Sequence, residues 1–132
     1  MEPRISMVVL AVADLQRAVA FYRDGLGFPL HRATNTIAFF KTGGTWIELC
    51  PRDILAKDAG ISLDGHPPRG FALAHNVGSA ADVDRVMAQA AASGASIVKA
   101  AQHTDWGGYN GYFADLDGFL WEIVWDPQLG VV

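Results

Sequence analysis

One order of elements is written twice along this chain, and such a repeat constrains the fold more than any single motif in it. The stretch "ISMVVLAV" (5–12) reads as a strand. "DLQRAVAFYRDGLG" (14–27) reads as a helix, with Leu15, Ala18, Val19 and Tyr22 at helical spacing, Asp14 as N-cap and Gly25 or Gly27 as the stop. "FPLHRA" is a weak strand, and "TIAFF" and "TWIELC" are β-rich runs joined by "KTGG" as a hairpin. From residue 71 the order returns as strand "FALAHNV" and helix "SAADVDRVMAQAAASG", followed by "SIVKA", "GYFAD" and "FLWEIVW". In that second helix Val83, Val86, Met87 and Ala90 share a face, Ser79 and Asp82 resemble a capping box, and Gly94 is the stop. Two tandem βαβββ modules of an α+β domain are predicted over residues 1–132: module one over 5–50 and module two over 71–127. Residues 51–70, with Pro67-Pro68 and several glycines, suit a connector better than an element. Residues 101–111, "AQHTDWGGYNG", are expected to form a long loop. No helix follows "WGGYNG" to complete a phosphate cradle, so a flexible flap over a pocket is the better expectation.

The bulk numbers narrow the partners. A chain of 132 residues can bury roughly two-thirds of its unfolded surface in one core. With 51% hydrophobic and 18% charged residues it is globular, and no apolar run approaches the ~18 residues that span a bilayer. The short apolar run in residues 1–12 is followed at once by Asp14 and Arg17 and continues into a patterned helix, so a signal peptide is the less favoured expectation. Cys50 is the only cysteine, which rules out an intrachain disulfide and points to a reducing cytoplasm. Ten basic against fourteen acidic residues, with no Lys/Arg cluster, make nucleic acid a poor partner.

A carboxylate in an apolar strand poses the chemical question. In "DLDGFLWEIVW" (115–125), Glu122 sits among large apolar side chains, where an ionised group needs a metal, a cation, a proton or water. Strand alternation puts Leu120 and Val124 on its face and Phe119, Trp121, Ile123 and Trp125 on the other. Likewise Trp46, Glu48 and Cys50 share one face, opposite Ile47 and Leu49. Cys50 reads as a small buried hydrophobe, with no base beside it in sequence. Asp115 and Asp117 begin like a calcium loop, but the glycine comes too early and no Glu follows at the required spacing, so a hairpin turn accounts for them.

The pair "VADLQRAVAFYRDGLGF" and "GYFADLDGFLWEIVWDP", opening and closing a tandem βαβββ chain, resembles the vicinal oxygen chelate superfamily of glyoxalases, bleomycin-resistance proteins and extradiol dioxygenases. The likeness covers residues 5–127. It implies two modules forming a curved mixed sheet around a cavity, with the helices outside. It also implies four metal-ligand positions, commonly His, Glu, His, Glu, which fall here on Met7, Glu48, Ala72 and Glu122. Both histidines are missing, and two carboxylates alone hold a transition metal weakly. No cofactor is therefore expected; if a divalent metal (Zn, Ni, Fe or Mn) binds, Glu48 and Glu122 are its candidate ligands. His75 lies three residues from Ala72 and so should face the other way, under the second helix. His31 and His103 lie near loops, from which they could swing inward, but surface roles are expected for both, and His66, before Pro-Pro, reads as solvated.

On this resemblance Glu48 and Glu122 face one another across the cavity as the candidate catalytic residues. Like charges in that arrangement raise at least one pKa, and a proton or a ligand cation relieves them; the alternative is a wet groove in which both bond only to water. Met7, Val9, Ala11, Ala72, Ala74 and Asn76 complete the wall. Candidate ligand contacts are Met7, Trp46, Ala72, Asn76 and Leu120, with Trp106, Tyr109 and Tyr112 closing the mouth. Such a pocket suits a small aromatic or amphipathic molecule, a cationic one included. The function expected is a small-molecule-binding protein of the bleomycin-resistance type: a cytoplasmic homodimer touching neither nucleic acid nor membrane. The alternative is a glyoxalase-I-like metal-dependent lyase or isomerase using Glu48 or Glu122 as base. An extradiol dioxygenase comes last, because Met7 and Ala72 deny iron its histidines.

Overall fold

The computed structural model describes residues 1, 3, 5–60, 62–65 and 71–129, and the chain divides into two compact units, Met1–His66 and Pro67–Val132. Each unit is a four-stranded mixed sheet with a helix packed on one face, so the fold is α+β.

In the first unit β1 (Met7–Val12) leads into α1 (Leu15–Ala20), then β2 (Leu30–Ala33), β3 (Ala38–Phe40) and β4 (Trp46–Pro51). The sheet order is β1-β4-β3-β2, with β1 parallel to β4 and the other pairs antiparallel. Asp14 caps α1 as its sequence position predicts, accepting the Arg17 N–H at 3.0 Å. The helix does not stop at Gly25 in α form: Phe21–Gly25 continue as a π-helical turn, closed by Leu26 N–H donating to the Phe21 carbonyl at 2.9 Å. Gly27, at φ +77°, then turns the chain in the left-handed region. Ala18, Val19, Phe21 and Tyr22 are buried, and Tyr22 packs against the Phe28 and Phe40 rings.

The connector expected over residues 51–70 requires correction, because it opens with a helix, α2 (Arg52–Ala59). The local chemistry explains this: Asp53 lies in its first turn and Lys57 in its last, and Gly60 at φ +68° donates its N–H to the Ala56 carbonyl. His66 and the Pro67-Pro68 pair lie outside the described residues.

The second unit repeats the order as β5 (Leu73–Asn76), α3 (Ala80–Ala92), β6 (Ser96–His103), β7 (Tyr109–Ala114) and β8 (Leu120–Trp125), with sheet order β5-β8-β7-β6. Ser79 caps α3 by accepting the Asp82 N–H at 3.1 Å. Val83, Met87 and Ala90 are buried against the sheet and Val86 is half-buried. Phe113 and Trp121 stack beneath the helix with centroids 6.1 Å apart, each such side chain contributing about 1.5–3 kcal/mol by burial.

The long loop expected over residues 101–111 is a second correction. β6 runs to His103 and β7 starts at Tyr109, leaving a turn of residues 104–108. Glycine suggests a loop, but Gly111 is a strand residue kept small by packing: a Cβ there would meet the Ala101 backbone at 3.1 Å as well as Met87 Cε at 2.9 Å. Asp115 and Asp117 do form a hairpin turn. The buried Asp115 carboxylate accepts the N–H groups of Asp117 at 3.0 Å and Phe119 at 2.8 Å. No helix among the described residues is long and apolar enough to cross a membrane.

Candidate functional site

On module one, alternation along β4 places Trp46, Glu48 and Cys50 on the sheet face turned away from α1. The parallel register then sets Met7 beside Trp46, Val9 beside Glu48 and Ala11 beside Cys50. The shared face predicted for these six residues is thus the one observed. The sequence pattern gives no sign that α2 packs over one end of it, against β1 and β4. Beneath α2, Cys50 is buried. Its thiol is pushed up first by burial and then by the charges of Glu48, Asp58 and Asp53, which makes it a poor nucleophile.

Glu48 is half-buried, and its carboxyl is held above the ordinary glutamate range, first by burial and then by the neighbouring carboxylate of Asp58 on α2. Asp58 escapes a reading by sequence pattern because its helix resembles a connector.

The other end of this face is open. A cavity of about 420 Å³ is lined there by Ile5, Ser6, Met7, Gly44 and Trp46. His31, on β2, meets Trp46 edge-on with centroids 4.9 Å apart, and Lys41 Nζ lies 5.9 Å from the Trp46 ring centroid. The indole therefore already carries an ammonium over its face, which disfavours a cationic ligand stacking there.

On module two the corresponding face holds a connected polar set. Lys99 Nζ donates to Asn110 Oδ1 at 3.0 Å, and Asn110 Nδ2 donates to Glu122 Oε1 at 2.7 Å. Burial, and then the nearby Glu122 carboxylate, raise the pKa of the Tyr112 phenol. Lys99 Nζ lies 5.8 Å from the Tyr112 ring centroid, and Asn110 is buried. Glu122 is thus answered by an amide. Asn110 is missed because residues 101–111 read as a loop, and Lys99 because β6 and β7 pair with two register shifts, between Ile97 and Lys99 and between Lys99 and Gln102, which no sequence pattern reveals. Ala74 lies beside Glu122 and Asn76 beside Val124, and Leu120 shares their face. Ala72 is exposed and immediately precedes β5.

The remaining candidates lie elsewhere. His75 pairs with Ile123 on the helix-covered side, where burial and the Arg85 guanidinium on α3 hold its imidazole below the ordinary histidine range. Tyr109, expected in a flap, stands in β7 and donates its hydroxyl to Asp84 Oδ1 on α3 at 2.9 Å. Trp106 is an exposed residue of the 104–108 turn, and His103 packs edge-on against Tyr109.

These donors offer a divalent metal little. Among the described residues, no three His, Cys, Asp or Glu side chains come together in a group able to hold one. Glu48 has the carboxylate of Asp58 as neighbour, and Glu122 is engaged by Asn110. Within each module, the described residues do not assemble the donor set of a transition-metal centre.

Comparison with known proteins agrees with this architecture. A family model described as "Glyoxalase/Bleomycin resistance protein/Dioxygenase superfamily" matches residues 4–123. The protein YraH of Bacillus subtilis (strain 168) is 31% identical over 126 residues, covering 91% of this chain and 96% of that one. The glutathione transferase FosA of Serratia marcescens is 40% identical over 43 residues, 33% of this chain and 30% of that one. The crystal structure of a glyoxalase-related enzyme from Fulvimarina pelagi superimposes with a TM-score of 0.89 at 30% identity, covering 95% of this chain and 89% of that one.

Proposed function

The chain belongs to the glyoxalase/bleomycin resistance protein/dioxygenase superfamily, and on that premise we propose that it binds a small aromatic or amphipathic organic molecule without a complete metal centre. The observation that carries this reading is the cavity of about 420 Å³ in which Met7 and Trp46 lie together. Its volume lies within the range of ligand pockets, and its wall combines a thioether and an indole, with the His31 imidazole and the Lys41 ammonium close by. With Lys41 over the indole, an aromatic ligand that is neutral or anionic suits this end better than a cationic one. On module two, the Glu122 carboxylate, held in place by Asn110, offers a fixed acceptor for a polar group of the same ligand class. As part of the same proposal, the protein works in the cytoplasm as a homodimer, with no nucleic acid or membrane partner.

A second reading, a lyase or isomerase resembling glyoxalase I, is favoured by one observation: the raised pKa of Glu48 brings that carboxyl nearer the range useful to a general base.

The test is a thermal-shift and tryptophan-fluorescence screen of aromatic acids, amides and amines against the wild type, Trp46→Phe and Glu122→Gln. Saturable binding weakened at least about tenfold, or roughly 1.4 kcal/mol, by Trp46→Phe supports the binding reading. Hits indifferent to both substitutions overturn it. Elemental analysis of protein purified without chelator separates the readings, since one equivalent of Zn, Ni, Fe or Mn per chain favours the enzyme.

A further inference from the structure

A second cavity, of about 350 Å³, lies on the helix-covered side of module one, away from Glu48 and Trp46. It sits between α1, the π-helical turn and the turn joining β2 to β3. Leu15, Val19 and Ala33 supply apolar wall, and Gln16, Arg23 and Asn35 supply polar groups. The turn is built, not loose: Thr34 N–H donates to the Ile37 carbonyl at 2.8 Å, and Thr34 Oγ1 accepts the Thr36 N–H at 3.2 Å.

The π-helical turn has a specific effect here. In an α-helix each residue advances about 100° around the axis, so a residue four positions on drifts past its predecessor by about 40°. A π turn advances less per residue, so Arg23 stays nearly in line with Val19 and lines the same cavity as Val19 and Leu15. Asp24 then fixes the plane of that group, accepting from Nε at 2.7 Å and from Nη2 at 2.7 Å. The edge formed by Nη1 and the outer hydrogen of Nη2 is left facing away from Asp24.

We propose that this cavity binds a small monocarboxylate carrying a short apolar chain. Arg23 receives the carboxylate, Gln16 and Asn35 donate their amide N–H groups to it, and Leu15, Val19 and Ala33 hold the chain. The class follows from charge and size. One guanidinium shared with Asp24 accommodates a monoanion, whereas a phosphate dianion would be repelled by the same aspartate. The volume, at the small end of ligand pockets, and the apolar wall then favour a tail of a few carbons.

Titration of the full 15N-labelled chain with hexanoate, followed by NMR, tests this. The expected result is a saturable shift of the Arg23 Nε–H and of the Gln16 and Asn35 side-chain amides. Affinity should fall about tenfold in Arg23→Gln and to a similar degree when hexanamide replaces hexanoate. Ala33→Phe, which fills the wall and leaves the charge in place, should abolish the shifts while preserving the dispersion of the spectrum. Equal binding of hexanamide, indifference to Arg23→Gln or to Ala33→Phe, or the absence of saturable shifts at these groups overturns the proposal.

Discussion

The Asn110 side chain spans two opposite charges, accepting from Lys99 Nζ through Oδ1 and donating to Glu122 Oε1 through Nδ2. It is buried, so its removal strands both partners. Asn110→Ala is expected to cost about 1–3 kcal/mol of unfolding free energy, with part of the loss recovered when Glu122→Gln is added. Urea denaturation of the two single variants and the double variant measures the coupling.

Glu48 carries a pH dependence whose sign is fixed by its environment. Its folded pKa lies above the unfolded value, so the native state holds that proton more tightly. The corresponding stability is fully present below the unfolded pKa and is lost as pH rises through the folded pKa. Asp58→Asn removes the like charge and should bring the Glu48 titration, followed by carboxyl 13C NMR, down toward the ordinary range. Glu48→Gln should flatten this limb of the stability profile. An unchanged Glu48 titration in Asp58→Asn would remove Asp58 as a cause.

Gly111 tests close packing in a strand. A methyl there meets Met87 Cε at 2.9 Å and the Ala101 backbone at 3.1 Å, so Gly111→Ala should destabilise by about 1–3 kcal/mol. At Gly43 a methyl would have no neighbour within 4 Å, and the same change there should have little effect on Tm.

Asp115 accepts two backbone N–H groups from a buried position in the β7–β8 turn. Asp115→Ala leaves both without that acceptor and is expected to cost about 1–3 kcal/mol, measured by chemical denaturation. Asp117→Ala, two positions further along the turn, should cost less, because the Asp117 N–H that bonds Asp115 belongs to the backbone and is retained.

Much of the scaffold is legible because short-range chemistry specifies it. Asp14 and Ser79 announce helix starts, and period-two alternation in "WIELC" and "LWEIV" fixes which side chains share a face. The illegible parts depend on relations that sequence spacing does not encode. α2 carries its own start and stop signals but buries no residue, so it lacks the apolar stripe by which helices are read. Without α2, nothing in the sequence sets Asp58 beside Glu48. In "GGYNG" the glycines suggest a loop, whereas Gly111 serves the fit of a strand to Met87. The Lys99 to Asn110 link depends on irregular pairing between β6 and β7, a property of two strands together.

Because α2 is eight residues long and buries none of its own side chains, few contacts oppose its release from the sheet, and an isolated helix of that length is marginal in water. Its amides should therefore exchange with deuterium well before those of β4 beneath it. The sulfhydryl it shelters should react with alkylating reagents only in molecules whose cover has lifted, which turns a buried thiol into a clock for that local opening.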